Sequence, residues 1–189
     1  MSALIYAALG LLGLDTGLAI LFFCNFNIIK AKEGLNLPRG QVAWFLWVAG
    51  VAELFASYYF FAVGDTLDAV TFGGFGLFWM GLQALIYLGG DGRVLGPMAI
   101  AYAVFSIPLI FAYATASLTI TAIIVMLLLI FLSLIPAAWD KTNAKLLGTL
   151  QVICFIITSI AIIGLVLGSM TGTSLEGIGK MLLGPALIT

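Results

Sequence analysis

The sequence predicts an all-α membrane protein, a bundle of six transmembrane helices in a single domain spanning residues 1–189. Three observations predict it. First, 63% of the residues are hydrophobic and only 8% are charged, where a soluble domain carries roughly 25% charged residues. So few charges cannot cover a water-facing surface, so the solvent is lipid. Second, six apolar runs are each long enough to cross a hydrocarbon core of about 30 Å. Third, the basic residues gather on alternate connections between those runs.

The first run, about 3–29, begins MSALIYAALG. It lacks a basic leading segment and meets Asp15 midway, so it is expected to be a retained helix and not a cleaved signal. The separator KAKEGLNLPRG leads to a second run, about 41–63, flanked by Trp44, Trp47, Tyr58, Tyr59, Phe60 and Phe61, residue types that gather at membrane interfaces. After GDTLD comes the third run, about 69–89, which ends on Gly89-Gly90-Asp91-Gly92-Arg93. The fourth covers about 95–114, with Pro97 in its first turn and Pro108 deeper. A short TAS leads to the fifth, about 118–138, with Pro136 near its end. DKTNAK precedes the sixth, about 146–169, and the less apolar tail after Met170 is expected at the interface. Backbone in lipid must satisfy its own hydrogen bonds, so these runs are helices. The alternation of a β-barrel is absent.

Lys30, Lys32, Arg39, Arg93, Lys141 and Lys145 lie on the first, third and fifth connections, and Lys180 alone lies on the other side. By the positive-inside rule those three loops are cytoplasmic and both termini are extracytoplasmic, in a plasma or inner membrane. The loops divide the chain into three helical hairpins, 1–64, 65–116 and 117–170. A net charge of −1 without a basic block argues against nucleic acid as a partner. With no histidine, and with Cys24 and Cys154 both inside apolar runs, neither a metal centre nor a disulfide framework is expected. No cofactor motif or catalytic constellation is present, so the chain is not expected to be an enzyme.

Two features carry functional meaning. At about 100° per residue, Phe72, Phe75, Trp79 and Gln83 share a stripe about 80° wide on the third helix. The stripe is either one wall of a narrow solute path or a packed helix interface in which Gln83 bonds a neighbour. Asp15 and Glu53 lie near mid-membrane, where carboxyls usually face a bundle interior or a water-filled path. They are either proton-coupling groups or structural carboxyls, and Ala49, Gly50, Ala56 and Ser57 around Glu53 permit close helix packing.

Residues 75–108 resemble the third and fourth helices of the urea and short-chain amide channel family. Members carry an F-x-F-T-Y-[LW]-like run and then a D-[GW]-[KR] turn. Here Phe75 and Trp79 precede Asp91-Gly92-Arg93 and Leu95-Gly96, and Pro108 falls where some members have proline. The resemblance covers about 41–110. It implies a homohexamer with a separate pore in each protomer, passing urea or acetamide passively, with Phe75 and Trp79 on the pore wall. Leu127, Leu128 and Phe131 are the nearest counterparts of the tryptophans those channels carry on the fifth helix. Departures are Asp15-Thr16-Gly17 in place of asparagine before glycine, the absence of glutamate from the sixth helix, and no outer-loop histidines for acid gating.

The chain is also similar to the acetate and succinate transporters, which share the six-helix plan. Gly50-Val51-Ala52-Glu53 resembles their G-G-x-x-Q run, and Phe75-Gly76-Leu77-Phe78-Trp79 resembles Y-G-x-F-W. Leu127 would take a constriction position. Of the N-P-A-P-L-G-L motif only Leu9-Gly10-Leu11 is recognisable. The first resemblance implies a channel for small neutral polar solutes. The second implies a small carboxylate as cargo, with Asp15 or Glu53 as a proton site if transport is proton-coupled.

Overall fold

The computed structural model describes residues 3–26, 28, 44–140 and 144–183. Helices α1 (Ala3–Asn25), α2 (Val51–Ala62), α3 (Thr66–Tyr87), α4 (Leu95–Tyr113), α5 (Leu118–Asp140), α6 (Ala144–Gly168) and α7 (Ser174–Leu183) form it, and there is no strand among the described residues. A π-helical segment, Trp44–Gly50, leads into α2, and a 3₁₀ turn, Gly92–Val94, leads into α4. Among the described residues five helices are long and apolar enough to cross a membrane; the sixth apolar stretch, Trp47–Ala62, is shorter. The basic residues expected on the first connection, Lys30, Lys32 and Arg39, and Lys141 on the fifth, lie outside the described residues.

Local chemistry sets the helix ends. Gly64, at φ +84°, takes the left-handed conformation that ends α2. Asp65 then caps α3 by accepting from the Asp68 N–H at 3.1 Å. Between α3 and α4 the Arg93 Nε donates to Asp91 Oδ2 at 2.8 Å. Hydrogen bonds from the side chain and backbone of Arg93 hold the Asp91 carboxyl down to about 2. Trp139 of α5 covers this turn, with its Nε1 donating to the Arg93 carbonyl at 3.2 Å. Both α4 and α5 continue through their internal prolines, Pro108 and Pro136.

The helices α1 to α6 pack in chain order and α6 returns to α1, closing a ring. The strongest faces are α1 with α6, α4 with α5, and α2 with α3, whereas α3 and α4 barely touch through their backbones. The three expected hairpins are not set apart as units: α1 packs most closely on α6, from the far end of the chain, and α2 packs on α3 and α4 on α5 across the short turns between hairpins. Aromatic rings fill the wide gap beside α4. Phe75 and Phe78 of α3 meet Tyr102 and Phe105 of α4 and Phe131 of α5, with Phe75 stacked on Phe131 at 6.2 Å.

Small residues allow the close contacts. A β-carbon on Gly13 would lie 2.8 Å from the Ala49 carbonyl oxygen, and one on Gly17 would lie 2.6 Å from the Trp79 ring. The α7 helix folds back on α6, its Gly179 against Gly168, and Thr119 of α5 donates to the Leu183 carbonyl at 3.2 Å. Outward rings such as Trp44, Trp47, Tyr58 and Phe61 are exposed, as expected of lipid and interface contacts. Tyr59 and Phe60 turn inward instead, Tyr59 stacking on Tyr6 at 3.7 Å and Phe60 on Phe72 at 5.7 Å.

Gly13→Leu should separate α1 from the π-helical segment and lower stability by about 1–3 kcal/mol. Gly177→Ala, where an added β-carbon meets nothing within 4 Å, should be neutral or slightly stabilising. Thermal unfolding in detergent compares the two.

Candidate functional site: a half-length cavity ending at Glu53

A cavity of about 320 Å³ opens inside the ring, walled by α1, α2, α3, α4, α5 and α6. At one end it is lined by Ala3, Asp65 and Ala116, all exposed, and at the other by Leu14, Glu53, Phe75 and Leu127, all buried or nearly so. Ala3 to Leu14 is about 16 Å of helix at 1.5 Å per residue. The cavity thus reaches about half-way through a 30 Å hydrocarbon core. It starts from the end of the bundle where α1 and α3 begin.

The mouth is polar. The Tyr113 hydroxyl donates to Asp68 and lies 3.2 Å from Thr71 Oγ1. Thr71 spends its own proton on the Leu67 carbonyl at 2.8 Å. Ser117 caps α5, its Oγ accepting from the Ile120 N–H at 3.3 Å. Below this the wall is apolar: Leu11, Phe72, Ile123, Ile124 and Leu165. At the base stands Glu53, 1% exposed. Its Oε1 accepts from Trp79 Nε1 at 3.0 Å, and its Oε2 is buried with no hydrogen-bond partner. Gly76 brings α3 close enough for this pairing, because a β-carbon there would lie 3.2 Å from the Glu53 Cβ.

Phe72, Phe75 and Leu127 line the cavity together with Glu53. Trp79, 2% exposed, stands behind Glu53 and against Gly17, outside the lining. The 3.6-residue period put Trp79 on the Phe75 face, yet its indole turns to the carboxyl that needs a donor. Phe131 lies behind Phe75 in the aromatic cluster. Gln83 and Leu128, both half-buried, do not line the cavity; Gln83 sits two turns past its base on α3. Asp15 is also outside the lining, in the α1–α6 contact, where Ser159 Oγ donates to Oδ2 at 2.8 Å and Oδ1 has no hydrogen-bond partner.

Sequence reasoning missed the mouth: Asp68, Thr71, Tyr113 and Ser117 were not singled out. Polar residues at both ends of the short turns GDTLD and TAS were the available signal, since those turns place α3, α4 and α5 termini together.

No protein-family model and no curated protein matches the sequence. By structure, this is an all-α bundle with five helices among the described residues long and apolar enough to span a membrane. The chain is similar to the bacterial acetate channel SatP, with a TM-score of 0.78 and 21% identity, over 89% of this chain and 95% of that one.

Trp79→Phe keeps a ring against Gly17 but removes the donor to Glu53. A buried acceptor left unsatisfied costs about 1–3 kcal/mol, so the variant should unfold at a lower temperature in detergent than the parent. An unchanged midpoint would mean that this hydrogen bond does not hold α2 to α3.

Proposed function

We propose that the chain is a passive channel for a small monocarboxylate such as acetate, with the cavity as the first half of the solute path. The observation that carries this is the position of the cavity, which runs from an exposed polar mouth to mid-depth inside a fold shared with an acetate channel. The urea and short-amide reading, placed first from the sequence, gives way to the carboxylate one because the structural likeness is to an acetate channel. Conduction requires a transient opening below Glu53, where Phe75, Phe131 and Trp79 close the path. No catalysis is involved.

The proposal keeps six spans, counting the π-helical segment with α2 as the second. It also keeps extracytoplasmic termini in a plasma or inner membrane, so the mouth faces outward. The homohexamer belongs to the proposal too, supported by the exposed apolar faces of α4, with Ile100, Val104, Ile107 and Phe111 available to neighbouring copies or lipid.

Stopped-flow light scattering on proteoliposomes under an acetate gradient tests the reading. Acetate should pass faster than through protein-free vesicles, and Phe75→Ala should change that flux several-fold. Leu77→Ala, on the 58% exposed outer face of the same helix, should leave it unchanged. Equal flux in both variants at matched protein content would remove Phe75 from the path.

A further inference from the structure

Below the base of the cavity the bundle is filled, and a solute path must still leave it at the end opposite the mouth. Two helix faces trace the way. At about 100° per residue, Leu14, Leu18 and Asn25 share a stripe about 40° wide on α1, and Leu165, Thr158 and Gln151 share one on α6. Leu14 and Leu165 line the cavity. Leu18 and Thr158, at 1% and 0% exposure, are sealed inside the bundle below it. Both stripes end on one contact, in which Asn25 Nδ2 donates to Gln151 Oε1 at 2.8 Å. Gly148, one turn from Gln151 on α6, brings the helices together here, because a β-carbon on it would lie 3.2 Å from the Asn25 Cβ.

Depth places this contact at the far exit. Leu14 to Asn25 is about 16 Å of helix at 1.5 Å per residue, the same length as from Ala3 down to Leu14. Mouth, cavity base and amide pair thus stand at one edge, the middle and the other edge of a hydrocarbon core of about 30 Å. Between base and pair, Leu18 is apolar and Thr158 spends its proton on the Cys154 carbonyl at 2.9 Å. The next N–H donors on the two stripes are the amides. Their bond uses one hydrogen of Asn25, which leaves its second hydrogen and the N–H₂ group of Gln151 for an incoming acceptor. A carboxylate is such an acceptor, and uncharged N–H groups stabilise it out of water without a fixed cation. A bond between two neutral amides contributes little net free energy, so thermal motion can part it.

We propose that Asn25 and Gln151 form an inner gate of the solute path. The bonded pair closes the end opposite the mouth, and its parting turns amide N–H groups onto the carboxylate that passes. The inference rests on the carboxylate-channel reading above. It makes both residues specificity-determining, because the gate offers an anion donors and no negative charge.

The test adds a charge without removing the bond. In Gln151→Glu the carboxylate still accepts from Asn25. In Asn25→Asp the carboxylate accepts from the Gln151 amide, turned to donate. Acetate flux is measured by stopped-flow light scattering on proteoliposomes at neutral pH and matched protein content. Both variants are compared with the parent and with Ile153→Ala, on the 42% exposed outer face of α6. Each charged variant should pass acetate about tenfold more slowly than the parent, through like-charge repulsion, and Ile153→Ala should match the parent. Parent-like flux in either charged variant would overturn the gate and leave the channel reading standing. An equal loss in Ile153→Ala would trace the effect to α6 packing and overturn the gate as well. Either charged variant decides alone if the other does not assemble. If the parent itself passes no acetate, the channel reading fails and this inference fails with it.

Discussion

A carboxyl buried in a lipid-solvated bundle must find its hydrogen bonds inside the protein, and much of this architecture follows from that constraint at Glu53. Water is not available from the lipid side, so the Trp79 N–H supplies the donor across the α2–α3 contact. That pairing in turn demands small residues. Gly76 lets α3 approach Glu53, and Gly17 on α1 leaves room for the indole behind it. One hydrogen bond thus ties three helices to a common level at mid-membrane, and that level is where the cavity stops.

Above that level the ring of helices is held open and below it the ring is filled. The pairs joined by short turns, α2 with α3 and α4 with α5, are packed tightly, while α3 and α4 stand apart. Aromatic side chains occupy the resulting gap around Phe75, Phe78, Tyr102, Phe105 and Phe131. Near the mouth the facing residues are smaller or polar, such as Ala7, Thr71 and Ser117, and space remains. The difference between an open half and a closed half is a difference in side-chain volume along the same helices.

Much of the fold was legible in the sequence because lipid imposes strong rules: length, apolarity and the avoidance of unpaired backbone identify the five long helices, whereas the second run, expected over 41–63, is an α-helix only over Val51–Ala62, behind the π-helical Trp44–Gly50. The packing order was less legible. Hairpins of similar length gave no sign that α1 would pack most closely on α6, because a contact between the two ends of the chain leaves no local pattern in the sequence. At the site, Glu53, Phe72 and Phe75 stood out because an intramembrane acid and a stripe of rings are costly or unusual in lipid, while Leu127 was drawn in by the family resemblances alone. Trp79 was found but its orientation was not, since periodicity gives the direction of the Cα–Cβ bond and not the partner that turns the indole. Gln83 and Leu128 were drawn in by period and resemblance alone. The mouth went unnoticed because Asp68 and Tyr113 are far apart in sequence and ordinary for helix ends.

The central claim is that the cavity is a water-accessible path down to Leu127. Its most direct test is cysteine accessibility in a protein whose Cys24 and Cys154 are replaced by alanine. Leu127→Cys and Ile130→Cys place thiols on the same helix at 4% and 5% exposure, but only Leu127 lines the cavity. The account predicts that a small polar thiol reagent applied from the mouth side labels position 127 much faster than 130, and that acetate slows the labelling. Equal, slow labelling at both positions would contradict it.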